Sequence, residues 1–388
     1  MERGDEIELR IDTVAFGGAG VGRYGKIVVF VPFTVDGDTV SVKIVTVKKR
    51  FATAGLQSIH SPSPFRITPR CTAYTHCGAC SYQHITYDHQ VVLKNGQVRD
   101  ALKRIGRFDI IPLEDMIPSP QAYGYRGKAD FHVTTGKGKK QVIGFAARAT
   151  NEIVDLERCE VVHERINEAL CLMRQEESPD GRWPVWSASE KVVSESRVLR
   201  QVKGREMFVP RDGFFQANLY LTDTLVDVVE EFCNLSGTET VLDGYCGSGL
   251  FSLFIAPRCG RLYGIEAEGD AVRCAEENLN RAGINSAVFY TGDVARILKE
   301  RFIRENISVG VILLDPPRIG LEPDVIAALD VLKPPKIVYV SCNPATLARD
   351  LRALAGFGYS IMRVQPIDMF PQTSHIETVV LLEQAPAP

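Results

Sequence analysis

The sequence has no apolar run approaching the roughly 20 residues that a membrane span needs. Its start, MERGDEIELR, has neither the basic n-region nor the apolar h-region of a secretory signal. Both absences lead to the expectation of a cytoplasmic protein with no membrane role. Net charge is small: 45 Lys and Arg against 48 Asp and Glu leave −3, which argues against a general nucleic-acid binder. No compositional extreme is present either, since 45% hydrophobic and 24% charged residues exclude a disordered or fibrous chain. A length of 388 residues suggests two or three domains. In a reducing compartment the ten cysteines are not expected to form a disulfide framework, so clustered ones are metal-ligand or catalytic candidates.

Charge is distributed unevenly. Residues 1–60 carry 8 basic against 7 acidic side chains, residues 61–215 carry 23 against 19, and residues 216–388 carry 14 against 22. A mildly basic front allows a phosphate-neutralising face there, although so small an excess is equally met on an ordinary solvated surface.

Three segments follow from the pattern. Residues 1–60 alternate short β-branched runs (EIELRIDTVA, KIVVFVPFTV, TVSVKIVTVKK) with turn signals (FGGAGVGRYG, DGD), which predicts a small five-stranded barrel of the OB-like kind. Its exit, Lys48, Lys49 and Arg50, suits nucleic acid. SPSPFRITPR reads as a linker. Residues 61–215 read as an α+β region: a helix over VVLKNGQVRDALKRIGRF, a hairpin over 128–148 tipped by Lys137, Lys139 and Lys140, and a helix near 160–175. From about 216 strands and helices alternate, ending in a hairpin-like pair, which predicts a Rossmann-like α/β domain with ligands outside the carboxyl ends of its strands.

Polar residues gather at those ends. In VLDGYCGSGLFSLFIA a strand enters a loop with Gly247 and Gly249 and leaves as a helix, a device for close backbone approach to a ligand. The third glycine of a dinucleotide fingerprint is missing. The next strand ends present Glu266, Asp293 and Asp315 in turn. An acid after the second strand suits ribose hydroxyls and one after the third an adenine amino group, so the set describes an S-adenosylmethionine site better than a nicotinamide one. Asp293 taken alone reads more simply as a helix N-cap. In DPPR, where enzymes methylating exocyclic amines often carry an aromatic residue after the prolines, this chain has Arg318, which shifts the expected target from nitrogen to carbon.

Carbon 5 of a pyrimidine becomes nucleophilic when a thiolate adds to carbon 6. Cys342, in VYVSCNPATLARDL, lies at the same end of the sheet, and its place at a helix start is expected to lower its thiol pKa. Removal of the proton from carbon 5 then needs a base, for which Glu377 in SHIETVV is the candidate and His375 the runner-up. Cys246 in the glycine loop reads as packing. Phe214 or Phe370 could stack on a base, with core packing the simpler role.

Near the front, Cys71, Cys77 and Cys80 form a C-x5-C-x2-C cluster that Cys159 can complete. Four thiolates suit zinc or an iron–sulfur cluster, and spacing leaves both open. Radical chemistry is disfavoured, since its usual C-x3-C-x2-C motif leaves one iron open whereas a fourth cysteine closes this site.

GFFQAN, DGYCGSG, LLDPPRIGL, VSCNPATLARDL and DMFPQTSHIETVVLL, in this order, resemble the RNA 5-methyluridine methyltransferases, and residues 1–60 resemble the TRAM domain that precedes many of them. The resemblance covers nearly the whole chain. It implies that Gln216, Tyr245, Glu266 and Asp315 contact S-adenosylmethionine, that Cys342 is the nucleophile and Glu377 the base. It also implies that Cys71, Cys77, Cys80 and Cys159 hold a [4Fe–4S] cluster. Some members have Asn where this chain has Leu250, so no cofactor hydrogen bond is expected there. A TRAM domain with four cysteines is most similar to the enzymes of 23S ribosomal RNA, with transfer RNA the alternative substrate; no obligate protein partner is evident. A cytosine carbon-5 enzyme would present its cysteine on the acid–proline loop, which has none here. A non-catalytic RNA-binding or RNA-folding protein would have no need of Cys342 and Glu377.

Overall fold

The computed structural model describes residues 1–135, 141–176, 178–187, 192–194 and 196–384. The expected lysine tip, Lys137, Lys139 and Lys140, lies outside them. The chain forms two compact units that interleave along the sequence, where three successive segments were expected: residues 1–97, 121–185 and 370–375 make one, and residues 98–120, 186–369 and 376 onward the other.

The first unit begins with a closed barrel of β1 (Glu6–Val14), β2 (Ala19–Tyr24), β3 (Ile27–Pro32), β4 (Thr39–Val47) and β5 (Phe51–Ser61), in the order β1-β2-β3-β5-β4. Alternation makes it: Val40, Val42 and Ile44 of β4 point into the core while Lys43 and Val45 face out. Lys48, Lys49 and Arg50 are exposed at the β4–β5 turn, beside the partly exposed Phe51. The proline-rich stretch after β5 is pinned rather than free. Arg66 donates to both oxygens of the buried Asp38 and, at 2.8 Å, to the carbonyl of Phe33. Burial opposes ionisation of Asp38, but Arg66 and the N–H groups of Val35 and Ser63 outweigh it and hold the carboxyl below its usual range. α1 (Tyr87–Arg104) begins in this unit; then β6 (Lys128–Thr135), β7 (Gln141–Ala146), β8 (Ile153–Asp155) and β9 (Gly181–Trp186) form a four-stranded sheet in the order β8-β7-β6-β9. α2 (Glu164–Gln175) supplies Ile166 and Leu170 to the core that also contains Phe131, Ile143, Cys80 and Cys159.

In the second unit, β10 (Val192–Ser194), β11 (Arg197–Val202) and β12 (Arg205–Pro210) form a small antiparallel sheet. The main sheet follows, built from β13 (Thr240–Gly244), β14 (Arg261–Glu266), β15 (Ala287–Thr291), β16 (Val311–Leu314), β17 (Lys336–Ser341), β18 (Tyr359–Ile367) and β19 (Glu377–Gln384). Its order, β15-β14-β13-β16-β17-β19-β18, reverses direction between β13 and β16, the switch point where a doubly wound sheet binds ligands. The first five strands are parallel, and β16, Val-Ile-Leu-Leu, is buried throughout, as a strand covered on both faces must be. The helices of this unit are α3 (Thr222–Cys233), α4 (Leu250–Ile255), α5 (Gly269–Arg281), α6 (Val294–Ile297), α7 (Pro323–Leu332) and α8 (Pro344–Gly356).

Two short stretches explain why residues before 216 belong to this unit. Leu113 and Ile117 make parallel bridges to Val364 and Ile367, covering the open edge of β18. The buried Asn278 of α5 accepts from Phe208 N at 2.7 Å and donates to Phe208 O at 2.9 Å, taking the place of a neighbouring strand. Among the described residues no helix is long and apolar enough to cross a membrane.

Candidate active site

Because β13 to β17 run parallel, their carboxyl ends share one edge of the sheet. β19 runs antiparallel between β17 and β18, so it begins at that same edge. The sequence pattern announced the hairpin but not the insertion of β19 beside β17. That insertion brings the chain's last motif to the cofactor end.

The glycine loop follows β13. Tyr245 has φ 66°, a left-handed conformation rare for an aromatic residue, and Gly247 and Gly249 follow at 53° and 79°. A Cβ on Gly249 would come within 3.1 Å of Ala275 Cβ, so a side chain here would be tight as well as strained by the left-handed backbone. Glu266, at the end of β14, braces the loop: its carboxylate accepts from Gly247 N at 3.0 Å and Glu268 N at 2.9 Å. Asn278 Nδ2 reaches the loop too, donating to Ser248 O at 3.0 Å. Cys246 is buried, as its packing role requires. Asp293 caps α6, accepting from Arg296 N at 2.8 Å, so the simpler reading of that acid holds for one of its oxygens.

Asp315 and the fully buried Asp243 complete the acidic set. Asp243 accepts from Ser252 Oγ at 2.6 Å, and burial, helped by the nearby Glu266, pushes its carboxyl up to about 7. Burial, then Asp243 and Glu266, push Asp315 up as well. Asp243 was passed over in the sequence, although an acid inside an otherwise apolar strand is the kind of signal that marks a site. Gln216 is buried, and its Oε1 has no hydrogen-bond partner among the described residues.

Cys342 follows β17 directly. Ser341 pairs with Thr378 at the end of the β17–β19 ladder, so Cys342, next after Ser341, and Glu377, next before Thr378, both lie at that end. The expected lowering of the thiol pKa is not found. Burial, then the carboxylates of Glu377 and Asp315, push the thiol up to about 12, with Arg318 opposing. The helix start does not help because Cys342 stands before the N-cap: Asn343 fills that position and takes the N–H of Ala345 at 3.0 Å. Glu377 is buried, and burial and Asp315 push its carboxyl well up, again against Arg318.

Arg318 is thus the cation of this corner, a role its place after DPP did not announce. Its carbonyl accepts from Asn343 Nδ2 and Thr346 Oγ1, each at 3.2 Å, tying the acid–proline loop to the Cys342 turn. The buried Asp350 holds the rest of that loop, accepting from Leu321 N and Tyr339 OH at 2.8 Å. His375, the runner-up base, falls in the 370–375 segment of the first unit, edge-on to Phe370 at 5.8 Å. Phe214 is 75% exposed, which overturns core packing as its simpler role.

In the first unit Cys71, Cys77, Cys80 and Cys159 all line one small cavity. Asn167 of α2 fixes Cys159, accepting from its N–H at 2.9 Å and donating to its carbonyl at 3.1 Å. Burial pushes the thiols of Cys80 and Cys159 up to about 12 and about 11.

A Rossmann-like sheet with acids along its switch-point edge, in a chain that also carries a small basic-tipped barrel, defines an S-adenosylmethionine-dependent RNA methyltransferase. Comparison with known proteins gives the family. Residues 187–385 match the model described as tRNA (Uracil-5-)-methyltransferase, and residues 1–56 match the TRAM domain. Proteins named uncharacterized RNA methyltransferases from Nostoc sp. and Clostridium tetani are 32% and 31% identical over 98% of this chain, covering 96% and 97% of their own lengths. The crystal structure of Pyrococcus abyssi tRNA (uracil-54, C5)-methyltransferase in complex with S-adenosyl-L-homocysteine is similar too. It has TM-score 0.73 and 25% identity over 96% of this chain and 100% of that one. The chain belongs to the uracil-5 RNA methyltransferase family.

Proposed function

We propose that this cytoplasmic enzyme methylates carbon 5 of a uridine in large-subunit ribosomal RNA through a covalent adduct at Cys342, with Glu377 as base. The observation that carries the reading is that Cys342 and Glu377 lie at the same end of the β17–β19 ladder, at the carboxyl edge of the sheet, with Asp315 acting on both. Gln216, Tyr245, Gly247, Glu266, Asp293 and Asp315 are assigned to the cofactor. When bound, S-adenosylmethionine supplies an electrophilic methyl group.

Cys342, once deprotonated, adds through Sγ to carbon 6 of uracil; the ring double-bond pair moves onto the carbon 4 oxygen as an enolate. Carbon 5 then takes the methyl group, and S-adenosylhomocysteine leaves. Glu377 accepts the carbon 5 proton, the ring double bond re-forms, and the Sγ–carbon 6 bond breaks with its electron pair returning to sulfur. Arg318 stabilises the anionic forms of both side chains. The base must leave its stack to reach this edge, and the exposed ring of Phe214 offers it a surface.

Cys71, Cys77, Cys80 and Cys159 are assigned to a [4Fe–4S] cluster. The donor set fits, being four thiols around one cavity.

A transfer RNA substrate is the second reading, favoured by the similarity to a tRNA (uracil-54, C5)-methyltransferase. Mapping 5-methyluridine in ribosomal and transfer RNA from cells with and without the protein separates the two. Loss of 5-methyluridine from neither would sink the proposed function.

A further inference from the structure

The connection from β18 to β19 is longer than a hairpin needs, running from Asp368 to Ile376. Its middle, Phe370–His375, is built into the first unit. Lys94 Nζ donates to Phe370 O at 2.9 Å and Tyr125 OH to Pro371 O at 2.9 Å. The N–H groups of Ser81 and Tyr82 both donate to Gln372 O at 2.9 Å. Gln90 and Gln372 exchange a pair: Gln90 Nε2 donates to Gln372 Oε1, and Gln372 N donates to Gln90 Oε1, each at 3.0 Å. All of these side chains are buried, so each bond lost strands a buried polar group. Gln372 sits at φ 67°, a conformation that a non-glycine residue keeps only where its surroundings over-determine it.

The two ends of this arrangement are chemically distinct. Ser81 and Tyr82 follow Cys80 directly, at the end of the segment that carries three of the four clustered cysteines. On the other side, two residues after His375, comes Glu377. Nothing in the closing of a hairpin calls for so many bonds.

We propose that Gln372 is a positioning residue: the cysteine-bearing segment 71–82, through the Ser81 and Tyr82 N–H groups and through Gln90, holds Phe370–His375 and so fixes Glu377 for its proton at carbon 5. The inference rests on Glu377 acting as base.

The test uses the full-length enzyme, its RNA substrate and S-adenosylmethionine, with Gln372→Ala and Gln90→Ala beside Glu377→Gln. Misplacing the base slows release after methyl transfer, so methylated RNA stays covalently attached on a denaturing gel. A slowing of about 10- to 100-fold is expected for both glutamine variants, with S-adenosylmethionine binding unchanged. Amide exchange over residues 376–382 should quicken in both variants. If Glu377→Gln traps RNA while both glutamine variants release it at the parent rate, the inference falls. Loss of S-adenosylmethionine binding along with turnover would mean a general folding role and would also overturn it. If Glu377→Gln itself releases RNA normally, the base assignment is what fails.

Discussion

Glu377 acts electrostatically on Cys342, which directly follows the Ser341–Thr378 pair that ends the β17–β19 ladder, although 35 positions separate the two in the chain. Cys342 is half-buried and Glu377 buried, Asp315 pushes both upward, and the charge of Glu377 disfavours a thiolate at Cys342. A thiolate and a carboxylate therefore resist coexisting in the free site, which suits a reaction that uses them in turn. Cys342→Ala should abolish methylation and leave S-adenosylmethionine binding intact. Glu377→Gln should still form the adduct with 5-fluorouridine RNA but hold natural RNA covalently. Substantial turnover by Cys342→Ala would end the nucleophile assignment.

A thiol pushed up to about 12 is protonated at neutral pH. Its thiolate fraction rises about tenfold per pH unit below that value. In a Cys171→Ser background, which removes an exposed competing thiol, iodoacetamide labelling of Cys342 should climb steadily from about pH 7 to about pH 10. Levelling off at about pH 8 would show that the carboxylates do not act on the sulfur. RNA and the sulfonium methyl donor alter the balance when bound, so the labelling is done on the free enzyme.

Both the chemistry and its limits trace back to what a linear pattern can carry. The strand–helix alternation, the five-stranded barrel and the acids at strand ends were legible because periodicity and turn residues encode them. The place of β19 was not, since pairing partners leave no mark in either strand's own pattern. Nor was the upward shift of Cys342: helix position is visible in a sequence, whereas burial beside Glu377 and Asp315 depends on strands far apart in it. The interleaving of the two units rests on a few bridges at Leu113 and Ile117 and on hydrogen bonds to Phe370–His375, features too short to show a period.

Asp243 should make stability depend on pH. Its carboxyl is held at about 7 when folded against an ordinary 3.8, so between those values the folded chain carries a proton that the unfolded chain has released. Stability from this group is therefore greatest at low pH and declines from about pH 4 to about pH 7. Asp243→Asn keeps an acceptor for Ser252 and loses the titration. Its melting temperature should vary less than the parent's between about pH 5 and about pH 8, and should exceed it at the upper end. Parallel curves would mean that Asp243 is not protonated in the folded state.

Iron content tests the front cysteines. Protein prepared without oxygen should contain iron and sulfide with broad visible absorbance, and Cys159→Ser should lose or bleach it while Cys171→Ser does not. Zinc without iron would replace the cluster by a single ion held by four thiolates.

Asn343 joins two jobs that substitution can separate. Its Oδ1 caps α8 at Ala345 N, and its Nδ2 holds the carbonyl of Arg318 on the acid–proline loop. Asn343→Ala loses both, with a destabilisation of about 1 kcal/mol expected from the cap alone in denaturant unfolding. Asn343→Asp keeps the cap but cannot donate to Arg318, and it sets a further negative charge beside Cys342. Its stability should stay near the parent's while labelling of Cys342 slows and methylation falls, because another carboxylate pushes the thiol higher still. A variant that labels at the parent rate would show that a carboxylate at position 343 does not act on the Cys342 sulfur.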